Sequence, residues 1–186
     1  MVSDAASVLW RRLDRPGHET ASVRRNAGGW ELAGAAVFLD VDRPVRLDYH
    51  IDCAGDWTTR GGVVTGWIGS RAIFVRLEAD AGAWKLNGEP QPDVRGCIDL
   101  DLNFSPATNL LPIRRLDLAV GERADVRAAW LRFPNLQLEP LAQAYVRTGE
   151  STYRYESATG FTADLRVDEN GFVVDYPGGW VVESVR

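Results

Sequence analysis

Alternation between apolar and polar residues runs through most of this chain and restricts the folds that it can adopt. Successive side chains of a β-strand point to opposite faces of the sheet, so a period of two predicts strands that are buried on one side. Ten segments alternate in this way or are rich in strand-forming residues: 18–23, 34–39, 45–51, 71–79, 96–104, 124–131, 137–145, 153–157, 162–167 and 172–176.

Turn signals separate these segments and favour hairpins between neighbouring strands. The Asn-Gly pairs at 87–88 and 170–171 suit tight turns that need positive φ at both central residues. Helical signals are weak, and only 4–10 and 140–146 are expected to form a turn or two of helix. We therefore predict a mostly β, antiparallel fold with little helix, organised as one domain over residues 1–186. The periodicity alone does not distinguish a sandwich, a barrel and a roll.

Composition and charge argue against several classes of protein. The chain of 186 residues has a formal net charge of −5, whereas a nucleic-acid-binding surface is normally basic. Its apolar runs are far shorter than the roughly 20 residues that cross a bilayer, so no transmembrane segment is expected. Residues 1–17 lack a basic stretch followed by an apolar one, and we therefore expect no secretory signal and a cytoplasmic location.

Cysteine and histidine usage gives no sign of a metal or cofactor site. Cys53 and Cys97 are isolated in the sequence and are expected to be free thiols. The chain has two histidines, too few for a His-rich metal centre. The sequence also lacks a P-loop, a dinucleotide-binding glycine motif and a serine-hydrolase elbow. We predict no cofactor.

The segment 96–104 has the most concentrated polar pattern. As a strand it would direct Asp99, Asp101 and Asn103 to one face and bury Leu100 and Leu102 on the other. Two residues along a strand are roughly 7 Å apart, near the carboxylate separation of inverting glycosidases. The pattern therefore fits either an acid–base pair or an ordinary solvated polar face.

The following segment, 105–116, predicts a stiff loop that leads into two adjacent arginines. It contains two prolines, and Asn109 offers an amide to a nearby ligand. Successive strand residues face opposite ways, so one of Arg114 and Arg115 should face the acidic side chains. That arginine would either form a structural ion pair or bind an anionic ligand.

Aromatic residues offer candidate walls for a ligand pocket. Trp84 and Trp130 flank the polar segment in the sequence, and Tyr153 and Tyr155 share one face of a predicted strand. Ligand pockets are mostly apolar and aromatic with few polar groups. The alternative for all four is packing in the core or between strands.

Several motifs together resemble a bacterial family described as "putative glycolipid-binding". The matching motifs are GCIDLD at 96–101, NLLPIRRL at 109–116, WLRFP at 130–134, YRYE at 153–156, VDENG at 167–171 and DYPGGW at 175–180. The resemblance implies a spiral β-roll of many antiparallel strands and a ligand that is a glycolipid. It implies no catalytic residues.

Three functional hypotheses follow, and the first is the one we prefer. The chain is predicted to bind an amphipathic small molecule, with a glycolipid as the candidate, in a concavity of the β-roll. The alternative is an enzyme that acts on a sugar-containing substrate through Asp99 and Asp101. A protein without a small ligand is the third. The sequence leaves the ligand's identity and the oligomeric state open.

Overall fold

Fifteen β-strands dominate the computed structural model, which describes residues 5–186. The strands are β1 (Ala5–Arg12), β2 (Gly17–Asn26), β3 (Gly29–Asp40), β4 (Arg43–Cys53), β5 (Thr59–Ile68), β6 (Arg71–Asp80), β7 (Ala83–Leu86), β8 (Glu89–Pro90), β9 (Asp99–Leu102), β10 (Arg123–Arg132), β11 (Gln137–Arg147), β12 (Thr152–Ser157), β13 (Thr162–Val167), β14 (Val173–Tyr176) and β15 (Trp180–Val185). The helical elements are α1 (Leu110–Leu116) and two single 3₁₀ turns, Pro92–Val94 and Ala107–Asn109.

All fifteen strands belong to one sheet, with the order β8-β7-β6-β5-β4-β3-β2-β1-β15-β14-β13-β12-β11-β10-β9. Antiparallel pairing of consecutive strands builds two runs, β1 to β8 and β10 to β15, and antiparallel pairing of β1 with β15 joins them. Strand β9 is the exception, since it pairs in parallel with β10 after a long crossover that contains α1.

The sheet curls until its β9 end meets the beginning of β5. The Thr59 N–H donates to the carbonyl oxygen of Ile98 (3.3 Å), and the Thr59 hydroxyl accepts a hydrogen bond from the Leu100 N–H (3.1 Å). No strand ladder joins β9 to β5 within residues 5–186, so the sheet is rolled but not closed. The prediction of a mostly antiparallel β-roll with little helix is confirmed.

Helix α1 lies against the inner side of the roll and contributes to both apolar clusters of the core. Leu110 and Leu111 are buried in the larger cluster, whereas Ile113 belongs to a smaller one formed with β11–β14. Pro112 falls in the first turn of α1, where a missing N–H removes no helical hydrogen bond. The stiff loop predicted over 105–116 is thus largely helical.

The two short helices predicted elsewhere are wrong. Residues 5–10 lie in β1 and residues 140–146 lie in β11, while residue 4 is outside the described residues. Both segments form strands because neighbouring strands on each side supply ladder hydrogen bonds, which a weak local helical preference does not outweigh.

Strand β9 places its residues in the predicted alternation. Leu100 and Leu102 are buried in the larger apolar cluster, and the carboxylates of Asp99 and Asp101 emerge from the opposite face. Because the crossover packs on that face, Asp99 is also buried. Strand β9 is therefore covered by protein on both faces at Asp99, whereas alternation alone suggests a solvated polar face.

Both cysteines are free and buried. Burial raises the pKa of the Cys53 thiol to about 12, so this thiol stays protonated at neutral pH and is a poor nucleophile.

Candidate functional site

An open cleft of about 450 Å³ lies where the Asp101 face of β9–β12 meets the turn between β14 and β15. This volume is within the range typical of small-molecule sites. The lining residues are Asp14, Asp101, Asn103, Ser105, Asn109, Trp130, Leu141, Tyr155, Ser157, Thr159, Phe161, Tyr176, Pro177, Gly178, Gly179 and Trp180. They divide into a polar base and an aromatic wall.

Asp101 is the central group of the polar base. Gln143 on β11 donates through Nε2 to Oδ2 of Asp101 (2.6 Å), and the same nitrogen lies 3.0 Å from the Tyr155 hydroxyl on β12. Burial raises the pKa of Asp101 to about 6, against the lowering effect of the bond from Gln143. The base therefore carries a carboxylate that changes charge close to neutral pH.

Ser105 connects the cleft to a buried carboxyl group behind it. The Ser105 hydroxyl donates to Oε1 of Glu19, and the Tyr49 hydroxyl donates to the same oxygen at 2.7 Å. Oε2 of Glu19 is buried without a partner. Burial raises the pKa of Glu19 to about 7, despite the opposing effect of these two hydrogen bonds.

The buried Glu19 predicts a stability that depends on pH. Below pH 4.5, Glu19 is protonated in both the folded and the unfolded states and imposes no cost. Between pH 4.5 and 7 the unfolded state ionises first, so stability falls and remains reduced above pH 7. Glu19→Gln is therefore expected to stabilise the protein at pH 8 by up to about 3 kcal/mol, and hardly at all at pH 4.5.

Urea unfolding of the parent and of Glu19→Gln at the two pH values measures this difference. Glu139→Gln, which changes a half-buried glutamate of β11 in a surface ion pair with Arg132, is the control and should shift stability little at either pH. A Glu19→Gln variant that is less stable than the parent at pH 8 would show that the folded protein gains from an ionised Glu19.

Four aromatic rings follow one another along the opposite wall. The ring centroids of Tyr155 and Phe161 are 6.1 Å apart, and Phe161 stacks on Tyr176 at 5.9 Å with the two planes 8° apart. Tyr176 meets Trp180 edge-on at 5.3 Å. Trp130 is next to Asp101 in the ladder between β9 and β10, so it joins the wall to the polar base.

A tight glycine turn holds the two rings at the end of this wall. Gly178 has φ +74°, which favours glycine, and a Cβ at Gly179 would lie 2.8 Å from Cδ1 of Tyr176. The turn therefore lets the Tyr176 ring lie against the backbone while Trp180 returns beside it.

The structure brings together five of the side chains that the sequence singled out. These are Asp101, Asn103, Asn109, Trp130 and Tyr155, all of which line the cleft. The Asn109 side-chain oxygen accepts a hydrogen bond from the Tyr145 hydroxyl (2.9 Å), which leaves its amide nitrogen to bond the Pro106 carbonyl (3.1 Å). Their role in binding remains a prediction.

Asp99 and Arg115 pair with each other and do not line the cleft. The guanidinium donates through Nε and Nη2 to the two carboxylate oxygens of Asp99, at 2.8 and 2.6 Å. As expected, one of the two arginines faces the acidic side chains. The reason differs from the predicted one, because Arg114 and Arg115 lie on a helix, where consecutive side chains also point in different directions.

Arg114, Tyr153 and Trp84 lie elsewhere. Arg114 and Tyr153 line a second cleft, of about 360 Å³, on the other side of α1. Trp84 belongs to β7 and is buried, and its Nε1 donates to the Cys97 carbonyl oxygen (2.9 Å). Trp84 is close to the polar segment 96–104 in the sequence, but it does not line the cleft.

Sequence reasoning missed Gln143, Phe161, Tyr176 and Trp180. The signal that could have found two of them is the Pro-Gly-Gly turn at 177–179, since a tight turn brings together the aromatic residues on either side of it. Gln143 lies in the middle of β11 and Phe161 just before β13, and no local pattern relates them to Asp101.

One group of side chains has the composition of a metal site, but it is explained by ion pairing. Glu31, His50 and Asp52 lie together on the outer face of β3 and β4. His50 Nε2 is 3.1 Å from one oxygen of Glu31, while Arg24 Nε donates to the other at 2.7 Å. The positive charge of the Arg24 guanidinium would repel a metal ion bound beside Glu31, so we predict no metal site here.

Comparison with known proteins gives the family. The model of the family described as "Putative glycolipid-binding" matches residues 7–181, which is nearly the whole chain. The chain belongs to this family. The description of the glycolipid-binding family supports a binding role in general, without naming a ligand for this member.

Solved structures agree with this assignment. A DUF1089 family protein from Pseudomonas aeruginosa is 35% identical, with a TM-score of 0.71 over 96% of this chain and 91% of that one. A β-barrel-like protein of the DUF1849 domain family from Brucella abortus shares the fold at 10% identity, with a TM-score of 0.63 over 99% of this chain and 98% of that one. No curated protein matches this glycolipid-binding family member. None of the helices in residues 5–186 has the length and apolar character to cross a bilayer.

Proposed function

We propose that the cleft binds an amphipathic small molecule, with a glycolipid as the ligand class, by taking its head group and the first part of its apolar chain. The observation that carries the proposal is the junction of two surfaces in one opening. The base around Asp101 is polar, and the wall from Tyr155 to Trp180 is aromatic.

The polar base suits a head group that is rich in hydroxyls. Asp101 offers carboxylate acceptors, and Asn103 lies at the exposed end of the same strand. Ser157 and Thr159 add hydroxyl groups on the opposite rim. A few convergent polar groups in a largely aromatic cleft fix the orientation of a ligand.

The aromatic wall suits an apolar chain or the apolar face of a sugar ring. Phe161 is 43% exposed, which is high for a large aromatic residue that already stacks on a neighbour. The interior of the roll is filled by the two apolar clusters. The chain of the ligand is therefore expected to lie along the wall of the cleft, with its far end in solvent.

The enzymatic alternative is less well supported by the geometry. Hydrolysis by two carboxyl groups needs both of them beside the substrate. Asp99 is held by Arg115 in a bidentate ion pair, and its side chain is 2% exposed. Asp101 is thus the member of the pair that reaches the cleft.

Binding should strengthen with the chain length of the ligand and then level off. In a series of n-alkyl β-glucosides below their critical micelle concentrations, we expect about 0.8 kcal/mol for each of the first methylenes buried. The gain should stop when the chain extends beyond the wall. Isothermal titration calorimetry measures the affinities, and quenching of the fluorescence of Trp130 and Trp180 reports occupancy of the cleft.

Phe161→Ala should reduce the gain per methylene, because it removes exposed apolar surface from the wall. Phe74→Ala is the matched control, since Phe74 is 66% exposed on the outer face of β6 and lies outside the cleft. Affinities that do not depend on chain length, or equal losses in the two variants, would overturn the proposal.

A further inference from the structure

We infer that the polar base of the cleft recognises an organic ammonium group, carried either by an amino sugar or by a choline-type head group. This inference deepens the proposed function, because it names the charge of the head group that the same cleft accepts. It is carried by an unpaired carboxylate surrounded by aromatic rings.

The charges that line the cleft are all negative. Its lining contains two carboxylates, Asp14 and Asp101, and none of its lining residues is Arg, Lys or His. Asp14 is already neutralised, since Arg12 donates to its two oxygens at 3.0 Å each and Arg15 donates at 2.9 Å. A ligand cation would not compete with a protein cation inside the cleft.

Asp101 differs from Asp14 in having no cationic partner among residues 5–186. Its hydrogen bond comes from the neutral amide of Gln143, and its second oxygen accepts none from the part of the chain that the structure describes. A partly buried carboxylate without a cation is costly, and a ligand that brings a positive charge relieves that cost. A neutral sugar would supply hydrogen bonds but would leave the charge uncompensated.

The rings beside Asp101 add a second preference for a cation. Among the described residues, no cation lies over the faces of Tyr155, Phe161 and Tyr176. Trp180 and Trp130, by contrast, already receive Arg12 and Arg132 at 4.7 and 5.4 Å. Burial raises the pKa of Tyr155 and of Tyr176, and the negative charge of Asp101 raises both further. Aromatic rings around a carboxylate are well suited to ammonium and trimethylammonium groups.

Paired probes of nearly equal shape test the charge directly. Choline is compared with 3,3-dimethylbutan-1-ol, its neutral isostere, and glucosamine is compared with glucose, by calorimetry at pH 7.5 and constant ionic strength. We expect the cationic member of at least one pair to bind tenfold or more tightly than its neutral counterpart. A preference in the first pair alone identifies a choline-type group, and one in the second pair alone identifies an amino sugar.

Asp101→Asn should reduce the preference to within about twofold. Asp164→Asn is the matched control, because it removes the same unit of charge from an exposed position on β13 and should leave the preference intact. Thermal unfolding of both variants verifies that they are folded at the temperature of the titration.

The preference should also weaken as the pH falls below about 6, where Asp101 takes up a proton. The other groups that face Asp101 are the Gln143 amide, three tyrosines (Tyr145, Tyr155 and Tyr176) whose pKa values burial raises, and Asp99, which is paired with Arg115. Binding of the neutral probes should not change over the same range.

Equal affinities within both pairs, or a preference that survives Asp101→Asn, would overturn the inference. Binding of none of the four probes would also overturn it. These outcomes are separate from the alkyl glucoside series. Affinity that rises with chain length without any preference for ammonium would leave the proposed function standing and would remove this inference alone.

Discussion

Replacing Arg115 by Met is expected to destabilise the protein by roughly 3–5 kcal/mol, as for other buried ion pairs that lose one partner. The side chain of Asp99 is 2% exposed, and its two oxygens accept hydrogen bonds from the Arg115 guanidinium at 2.8 and 2.6 Å. Without Arg115, the carboxylate stays buried with no compensating charge. Urea unfolding followed by tryptophan fluorescence measures the loss.

Arg114→Met is the matched control, since it changes the neighbouring residue of the same helix. Within residues 5–186 no hydrogen bond or ion pair holds the Arg114 guanidinium, and its Nε is buried without a partner there. The guanidinium makes a cation–π contact with Trp57 at 5.6 Å, so we expect a loss of about 1 kcal/mol or less. Equal losses for the two variants would show that α1 tolerates neither substitution and that the ion pair is not the cause.

Replacing Leu100 by Ala is expected to cost about 2–5 kcal/mol, because it opens a cavity in a packed core. Leu100 is 1% exposed and belongs to the larger apolar cluster behind β9. Ile98→Ala is the control, since Ile98 is 40% exposed just before the same strand and should change stability far less. A neutral Leu100→Ala would mean that β9 is shifted by one residue, because such a slip exchanges the two faces of a strand.

Fold class was accessible from the sequence because burial on one side of a strand leaves a direct trace. Strand β13, one of the predicted segments, reads as a strict alternation of exposed and buried residues. The order of the strands leaves no such trace. Nothing in the alternation of Ala5–Arg12 or Trp180–Val185 indicates that these two segments pair with each other.

Helix α1 was missed for a related reason. It has seven residues, which is too short for a 3.6-residue pattern to appear, and it contains a proline. Its stability comes from the burial of Leu110, Leu111 and Ile113 against two clusters that form from distant strands. Local propensity therefore predicted a loop where tertiary contacts support a helix.

Most of the predicted side chains that line the cleft lie along β9 and its immediate continuation, while Trp130 and Tyr155 come from other strands. Asp101, Asn103 and Asn109 are close in the sequence and stay close in space. The aromatic wall combines Tyr155, Phe161 and Trp180 from separate strands and turns, and such a set becomes visible only when the sheet is rolled. The same limit explains why Trp84 was misplaced.

The pairing of β1 with β15 has a consequence for how the chain is made. The two strands that begin and end the described residues are neighbours in the middle of the sheet, and Ser7 and Arg186 exchange two backbone hydrogen bonds at 2.7 and 2.9 Å. During translation β1 emerges from the ribosome long before β15. During that interval the emerging first half of the sheet presents β1 as an unpaired edge, the feature through which nascent β proteins aggregate, and the later arrival of β15 covers it.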